Sequence, residues 1–134
     1  MKAGSKPERL LPQGSLYDRL GGQAALTAVV DDFAVRMAGH PQVGHFFARV
    51  DTAPGSKFRG QLVEFISAAT GGNGRYRGRD MASAHAAFKI SESDWNVTVG
   101  NLRDTLAKFK VPAREQQELL AIIAPLKQQI VTRT

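Results

Sequence analysis

Apolar residues recur along this chain at intervals of three and four residues, which is the spacing of one buried face on an α-helix. Four segments show this pattern and predict four amphipathic helices. Their apolar positions are Leu26, Val30, Phe33 and Met37; Phe58, Leu62, Phe65 and Ala69; Trp95, Val99, Leu102, Leu106 and Phe109; and Leu119, Ile122, Ile123, Leu126 and Ile130. Because no segment has the alternating pattern of a strand, the sequence predicts an all-α protein.

Capping and helix-breaking residues predict where several helices begin and end. Ser15-x-x-Asp18 opens a short first helix, which Gly21-Gly22 ends. Ser91-x-x-Asp94 is a second capping box and opens the helix that contains the tryptophan. Pro112 suits the first turn of the last helix, and Pro125 predicts a kink within it.

Length and composition indicate one globular domain. The 134 residues are 43% hydrophobic and 22% charged, which is typical of a chain that folds around a core. Residues 1–14 are polar and predict a mobile N-terminal extension before a domain at residues 15–134. The first residues lack a signal-peptide core and no run is long enough to span a membrane, so we expect a cytoplasmic protein without a membrane partner.

Cysteine content and charge narrow the chemistry. The chain has no cysteine, which excludes a disulfide framework, thiol catalysis, an iron–sulfur cluster and a cysteine-ligated haem. A net charge of +6 is compatible with nucleic-acid binding. However, the basic residues are scattered, and their densest group is Arg75, Arg77 and Arg79. A stacking platform needs exposed aromatic residues, and most of those here are expected to be buried, so no nucleic-acid partner is predicted.

Residues 71–85 form the most distinctive stretch of the sequence. A glycine-rich break leads through Tyr-x-Gly-Arg-x-Met into small residues around His85, which would let a flat ligand approach the backbone closely. Met81 and Phe88 lie four residues before and three after the histidine, on its side of a helix. These features suit an imidazole that binds a haem iron, although an ordinary core or surface histidine would also fit them.

This stretch resembles the loop and proximal segment of the group I truncated haemoglobins, which fold as a two-over-two helical globin. Five further motifs agree with that family in order and spacing. They are Leu16-Tyr17-Asp18-Arg19-Leu20-Gly21-Gly22, Val29-Val30-Asp31-Asp32-Phe33, Phe46-Phe47 with Asp51, Val63-Glu64-Phe65, and Ile122-Ile123-Ala124-Pro125-Leu126. Each motif is weak alone, but six in register are specific, and together they span nearly the whole chain. The resemblance implies a truncated globin-like helical sandwich that encloses a haem.

The resemblance also implies the cofactor and its ligands. It predicts haem b (iron protoporphyrin IX), with His85 as the metal-binding residue of a five-coordinate iron. Lys57, Tyr76 and Arg79 are the expected partners of the haem propionates, although Lys57 would also fit a solvated surface position. The predicted cofactor-binding residues are Phe33, Phe46, Phe47, Lys57, Phe58, Leu62, Phe65, Tyr76, Arg79, Met81, His85, Phe88, Ile90 and Ile123.

The distal side of the expected pocket departs from the family pattern. Most relatives place a tyrosine immediately after the Asp-Asp-Phe motif, where this chain has Ala34. Relatives commonly have glutamine at the positions of Phe58 and Leu62. Gln61 is the nearest polar side chain in register, and Thr98 is a weaker candidate. The predicted distal pocket consists of Phe33, Ala34, Phe58, Gln61, Leu62 and Thr98.

Three functions are compatible with the sequence. The first is reversible binding of O2 and other diatomic ligands, NO and CO, by a monomer or weak dimer. The second is NO dioxygenation or peroxide chemistry, which would require a partner reductase. The third is a haem-free helical interaction module, for which a generic four-helix bundle would suffice. Because no histidine follows His85, the covalent haem linkage known in some relatives cannot form here.

Overall fold

The computed structural model describes residues 14–72 and 75–133, and within them the chain is predominantly helical. The α-helices are α1 Leu16–Leu20, α2 Gly22–Gly39, α3 Lys57–Ala69, α4 Met81–His85, α5 Glu92–Lys108, α6 Ala113–Ile123 and α7 Lys127–Ile130. Short 3-10 helices occupy Gly44–Phe47, Ala86–Phe88 and Ala124–Leu126. The predicted all-α class is confirmed. The extension predicted at residues 1–14 lies almost wholly outside the described residues, as does part of the glycine-rich loop, Asn73 and Gly74.

One local feature contradicts the prediction that the chain has no strands. Two short segments, β1 Ile90–Ser91 and β2 Val131–Arg133, pair in parallel. Ile90 lies opposite Val131 and Ser91 lies opposite Arg133. Segments of two and three residues are too short to show an alternating pattern, so the sequence carried no signal for them.

The predicted helix starts are formed by the expected hydrogen bonds. The Ser15 hydroxyl accepts the Asp18 backbone N–H at 3.1 Å, and Gly21, with φ of 111°, ends α1. At α5 the capping box is reciprocal: the Ser91 hydroxyl accepts from the Asp94 N–H at 3.1 Å, and the Asp94 carboxylate accepts from the Ser91 N–H at 3.0 Å. Pro112 immediately precedes α6 rather than belonging to it, a difference of one residue.

The last predicted helix is not continuous. α6 ends at Ile123, the Ala124–Leu126 segment containing Pro125 is a 3-10 helix, and α7 follows. The kink predicted at Pro125 is thus a change of helical geometry within the last segment. Ile122, predicted to be buried, lies in α6 before this change and is an exposed apolar residue.

The core lies where α2 crosses α3 and α5. α2 packs against both of these helices, and α1 packs against α2 and α6. The buried residues that form the main apolar cluster are Leu16, Leu26, Val29, Val30, Val63, Ile66, Leu102, Leu106 and Leu119. This packing fixes α2, α3 and α5 relative to one another and leaves a cleft between them. Among the described residues, no helix has both the length and the apolar character that crossing a membrane requires.

A half-buried carboxylate joins α2 to α5. Asp32 accepts hydrogen bonds from Arg36 Nε at 2.6 Å, Thr105 Oγ1 at 2.7 Å and Lys108 Nζ at 2.9 Å. Burial raises the pKa of the Asp32 carboxyl, but these hydrogen bonds together outweigh it and lower the pKa to about 2. The charged carboxylate is therefore favoured in the folded protein.

Asp32→Asn is expected to lower the free energy of unfolding by about 2 kcal/mol at pH 7, because each unit of pKa shift is worth about 1.4 kcal/mol. Since the folded pKa lies below the unfolded one, this stabilisation is present above about pH 4 and is lost as the pH falls towards 2. Urea denaturation at several pH values measures it. The exposed Asp104→Asn variant of α5 is the control and should unfold like the wild type. A difference between Asp32→Asn and wild type that persisted at pH 2 would contradict this account.

Candidate functional site

A cleft of ≈ 950 Å³ opens between α2, α3, α4, α5 and the last segments of the chain. Its volume falls within the usual range of cofactor sites, and its lining is mainly apolar. Every residue predicted to contact the cofactor lines it: Phe33, Phe46, Phe47, Lys57, Phe58, Leu62, Phe65, Tyr76, Arg79, Met81, His85, Phe88, Ile90 and Ile123. The predicted distal residues Gln61 and Thr98 line it too.

Ala34 is the predicted site residue that does not line the cleft. It is only 2% exposed, and its position on α2 is one turn from two residues that do line it, Val30 and Met37. Ala34 therefore lies close to the cleft-lining face of the helix without lining the cleft itself. Position 34 adds no open space to the cleft.

Aromatic rings form the walls of the cleft in edge-to-face pairs. Phe47 and Phe58 have ring centroids 5.5 Å apart, with the planes at 62°. Phe65 and Tyr76 are 5.3 Å apart at 86°. Such pairs are a favoured aromatic geometry and contribute beyond simple burial. The rings thus hold two sides of the cleft in place.

His85 is the last residue of α4 and presents its imidazole to the cleft. Its Nδ1 lies 2.8 Å from the backbone carbonyl oxygen of Met81, one turn earlier. A carbonyl oxygen can only accept, so Nδ1 carries the proton and Nε2 keeps its lone pair. That is the tautomer a metal ligand needs, with the orienting bond that such ligands usually make. The residues present therefore fit a haem iron at this position.

The other two histidines do not line the cleft. His40 ends α2, and its Nδ1 accepts the Gln42 backbone N–H at 3.0 Å. His45 is exposed and packs its ring against Phe46 with centroids 4.1 Å apart. Among the three histidines of the chain, only His85 is placed to bind a cofactor in the cleft.

Basic side chains line the cleft where it meets solvent. Arg49, Lys57, Arg77 and Arg79 are all exposed cleft residues. Arg77 Nη2 donates to Glu64 Oε2 at 3.0 Å, and this bond lowers the pKa of the Glu64 carboxyl. Within the described part of the chain, Lys57 and Arg79 make no ion pair, so both can bind anionic groups such as carboxylates.

The Tyr76 hydroxyl is used within the chain, whereas the sequence predicted it as a partner of the haem propionates. Its hydroxyl donates to the backbone carbonyl of Arg79 at 2.7 Å, which folds residues 76–79 into a compact turn. Burial raises the pKa of the Tyr76 phenol, so it stays protonated at neutral pH. The phenolic oxygen can still accept a hydrogen bond, but its proton is already donated to the Arg79 carbonyl.

The polar groups on the α3 and α5 sides of the cleft are sparse. Thr98 Oγ1 donates to the Asp94 carbonyl at 2.9 Å, so its proton is also engaged within α5. Gln61 lines the cleft beside the apolar Phe58 and Leu62, and its amide makes no hydrogen bond with another described residue. Of the two predicted distal donors, Gln61 is thus the one whose amide protons are not already donated to another described residue.

Several lining residues were not among the predicted site. Met37, Trp95, Val99 and Leu102 had been placed on apolar helix faces, and the periodicity could have identified them as lining residues. Leu126 and Ile130 come from the segments after α6 and reach the cleft from the other side. Both had been predicted on the buried face of the last helix, and both lie in or after the 3-10 segment that contains Pro125, where a kink was predicted.

These features together define a class: a helical domain in which α2, α3 and α5 enclose an apolar cleft and a short helix supplies one oriented imidazole. That arrangement is a truncated globin. A family model described as bacterial-like globin matches residues 15–132. The chain therefore belongs to the bacterial-like globins, a haem-binding family whose members bind small gas ligands such as O2.

Known relatives agree with this assignment. The group 1 truncated hemoglobin GlbN of Mycolicibacterium paratuberculosis is 36% identical over 118 residues, which cover 88% of this chain and 85% of the relative. GlbN of Synechocystis is 32% identical over 114 residues, covering 82% and 86%. The predicted resemblance to group I truncated haemoglobins is confirmed.

Solved structures show the same fold. The 2/2 hemoglobin from a Synechococcus species, in the cyanomet state and with covalently attached heme, superposes with a TM-score of 0.79 at 28% identity, covering 87% of this chain and 95% of that one. The truncated hemoglobin of Tetrahymena pyriformis gives a TM-score of 0.83 at 24% identity, with 90% and 100% covered. The predicted two-over-two globin fold is therefore confirmed.

Proposed function

We propose that this globin binds haem b non-covalently through His85 and uses it to bind O2 reversibly, with NO and CO as further ligands. The observation that carries the proposal is the His85 Nδ1–Met81 carbonyl contact of 2.8 Å, which leaves Nε2 free to bind iron. When bound, haem supplies an iron atom with one coordination position open to a diatomic gas.

The chain's own residues then have distinct tasks. The phenylalanine walls would exclude water from a bound haem, and the exposed Lys57 and Arg79 would bind its propionates. His85 would hold the iron, and Gln61 would offer its amide protons to a bound ligand. No histidine follows His85 in the sequence, so the proposal includes no covalent linkage through a later histidine.

Absorption spectra of the purified protein test this proposal. We expect the haem-loaded protein to give a five-coordinate ferrous spectrum with a histidine ligand and to convert fully on addition of CO. The spectra report cofactor identity, axial ligand and coordination number together. If the purified protein took up no haem when an excess of haem was supplied, the proposal would be refuted.

Gln61→Leu is expected to speed the release of O2. Bound O2 carries partial negative charge, so a hydrogen bond to it is worth about 1.5–3 kcal/mol, or roughly 10- to 100-fold in dissociation rate. Leucine keeps a similar size but removes the donor. Stopped-flow displacement of O2 by CO measures the rate, with the exposed Gln117→Leu variant of α6 as the control. An unchanged rate would show that Gln61 does not stabilise the ligand.

A further inference from the structure

The helix that carries His85 is too small to fix its own position. α4 has five residues, and none of them is buried. Helices of this length are marginal in water, because one turn gains few hydrogen bonds for the entropy it costs. The chain then turns through the 3-10 helix Ala86–Phe88 and Lys89, whose φ of 53° is unfavourable for a residue with a side chain. The position of the imidazole must therefore be set by contacts from elsewhere in the fold.

Residues 124–133, which we call the strap, supply those contacts on both sides of the histidine. α7 packs against α4, before the turn. β2 pairs in parallel with β1, after the turn, with Ile90 opposite Val131. The strap thus holds the two ends of the segment that presents His85. The turn between them has no buried residue, although Phe88 packs edge-to-face against Phe46.

The strap is itself anchored to the cleft. Leu126 and Ile130 line the cleft, and Ile130 is only 9% exposed. Lys127 Nζ lies 3.2 Å from Glu92 Oε2 in the first turn of α5, an exposed pair that adds little energy but agrees with this placement. Displacement of the strap would therefore disturb the cleft and the histidine segment together.

We propose that the strap positions His85: the β1–β2 pairing and the packing of Ile130 set how firmly the imidazole is held at the cofactor. This inference rests on the haem-binding function proposed above and assigns the strap residues a positioning role, since they act through His85. When the strap is held in place, the histidine stays in register with the cofactor. When it detaches, the α4 segment loses its support and the cofactor is released.

A cross-link provides a direct test. Parallel strands lie about 4.8 Å apart, within the Cα–Cα range that a disulfide spans. The double variant Ile90→Cys/Val131→Cys can therefore lock β2 to β1, and the chain contains no other cysteine to compete. The ferric protein is mixed with excess apomyoglobin and haem transfer is followed by absorbance. The reduced form of the same variant is the matched control.

We expect the oxidised variant to release haem at least about fivefold more slowly than its reduced form, equivalent to about 1 kcal/mol. The ferrous iron–histidine stretching band, read by resonance Raman spectroscopy, should also narrow, because a fixed imidazole samples fewer orientations. Equal release rates, with the disulfide verified by mass spectrometry, would overturn the proposal.

Deletion of residues 131–134 tests the same idea in the opposite direction. Haem release should accelerate by at least about fivefold, whereas Thr132→Ala, an exposed position in β2, should behave as wild type. Hydrogen exchange of the haem-free protein separates this inference from the proposed function. Even if wild type bound no haem, amides of residues 81–88 should exchange faster in the deletion variant, and unchanged protection there would refute the strap's role.

Discussion

Replacing His85 by glycine is expected to leave a folded helical protein that no longer retains haem. The fold should survive, because no residue of α4 is buried and the core lies among α1, α2, α3, α5 and α6. Haem affinity should fall by at least about 100-fold, since loss of an outer-shell partner alone typically costs 10- to 100-fold. Titration with hemin, followed by absorbance, measures the affinity, and circular dichroism measures the helix content.

Two controls make this prediction specific. His45→Gly removes an exposed histidine outside the cleft and should bind haem like the wild type. Free imidazole should restore a histidine-like spectrum to His85→Gly, because the glycine leaves space for the missing ring. An unaltered axial-histidine spectrum in His85→Gly without added imidazole would show that another residue holds the iron.

The sequence predicted most of the fold because local sequence patterns mark its helices. The apolar spacing of α2, α3 and α5 reflects burial on one face, and the N-caps Ser15 and Ser91 mark helix starts that the structure reproduces. Phe109 was the last member of one apolar face but is 40% exposed. It is the C-cap of α5 and does not continue the helix. Apolar spacing alone does not show at which residue a helix ends.

The elements that the sequence did not predict depend on distant contacts. β1 and β2 are too short to carry a pattern, and each exists because the other lies beside it. Ile130 was predicted to be buried, but its place in the lining of the cleft was not predicted, because it comes from a separate helix after Pro125. Local periodicity therefore identifies the helices, whereas the strap that supports α4 becomes visible only once the chain is folded.

The site residues came chiefly from the family resemblance, and periodicity alone would have left His85 ambiguous. The structure adds two contacts that neither the resemblance nor the periodicity could predict. They are the contact from His85 Nδ1 to the Met81 carbonyl, which selects the tautomer, and the hydrogen bond from the Tyr76 hydroxyl to the Arg79 carbonyl, which uses the phenolic proton. It also shows that Ala34 leaves no pocket of its own, since the side chain is buried behind its neighbours. The burial of Ala34 therefore determines the surroundings that a tyrosine introduced at position 34 would meet.

Ala34→Tyr is expected to slow O2 release by roughly 10- to 100-fold, equivalent to about 1.5–3 kcal/mol for a hydrogen bond to the charged ligand. Because Ala34 is buried and lies one turn from Val30 and Met37, which line the cleft, we expect a larger side chain at position 34 to extend towards the cleft. The phenol would then supply a donor in addition to the Gln61 amide, on a side of the cleft where Phe58 and Leu62 are apolar. Stopped-flow displacement of O2 by CO measures the rate.

Ala34→Phe separates the hydroxyl from the bulk of the ring. Both substitutions insert a ring into a packed region and should each cost about 1–3 kcal/mol of stability. Only tyrosine can donate, so O2 release from Ala34→Phe should stay within about threefold of wild type, a change of less than about 1 kcal/mol. Oxidation of the iron in air should slow only in Ala34→Tyr, because the hydrogen bond lengthens the stay of O2. If tyrosine and phenylalanine gave the same release rate, the missing hydroxyl could not be what distinguishes this globin's ligand binding from that of its tyrosine-bearing relatives.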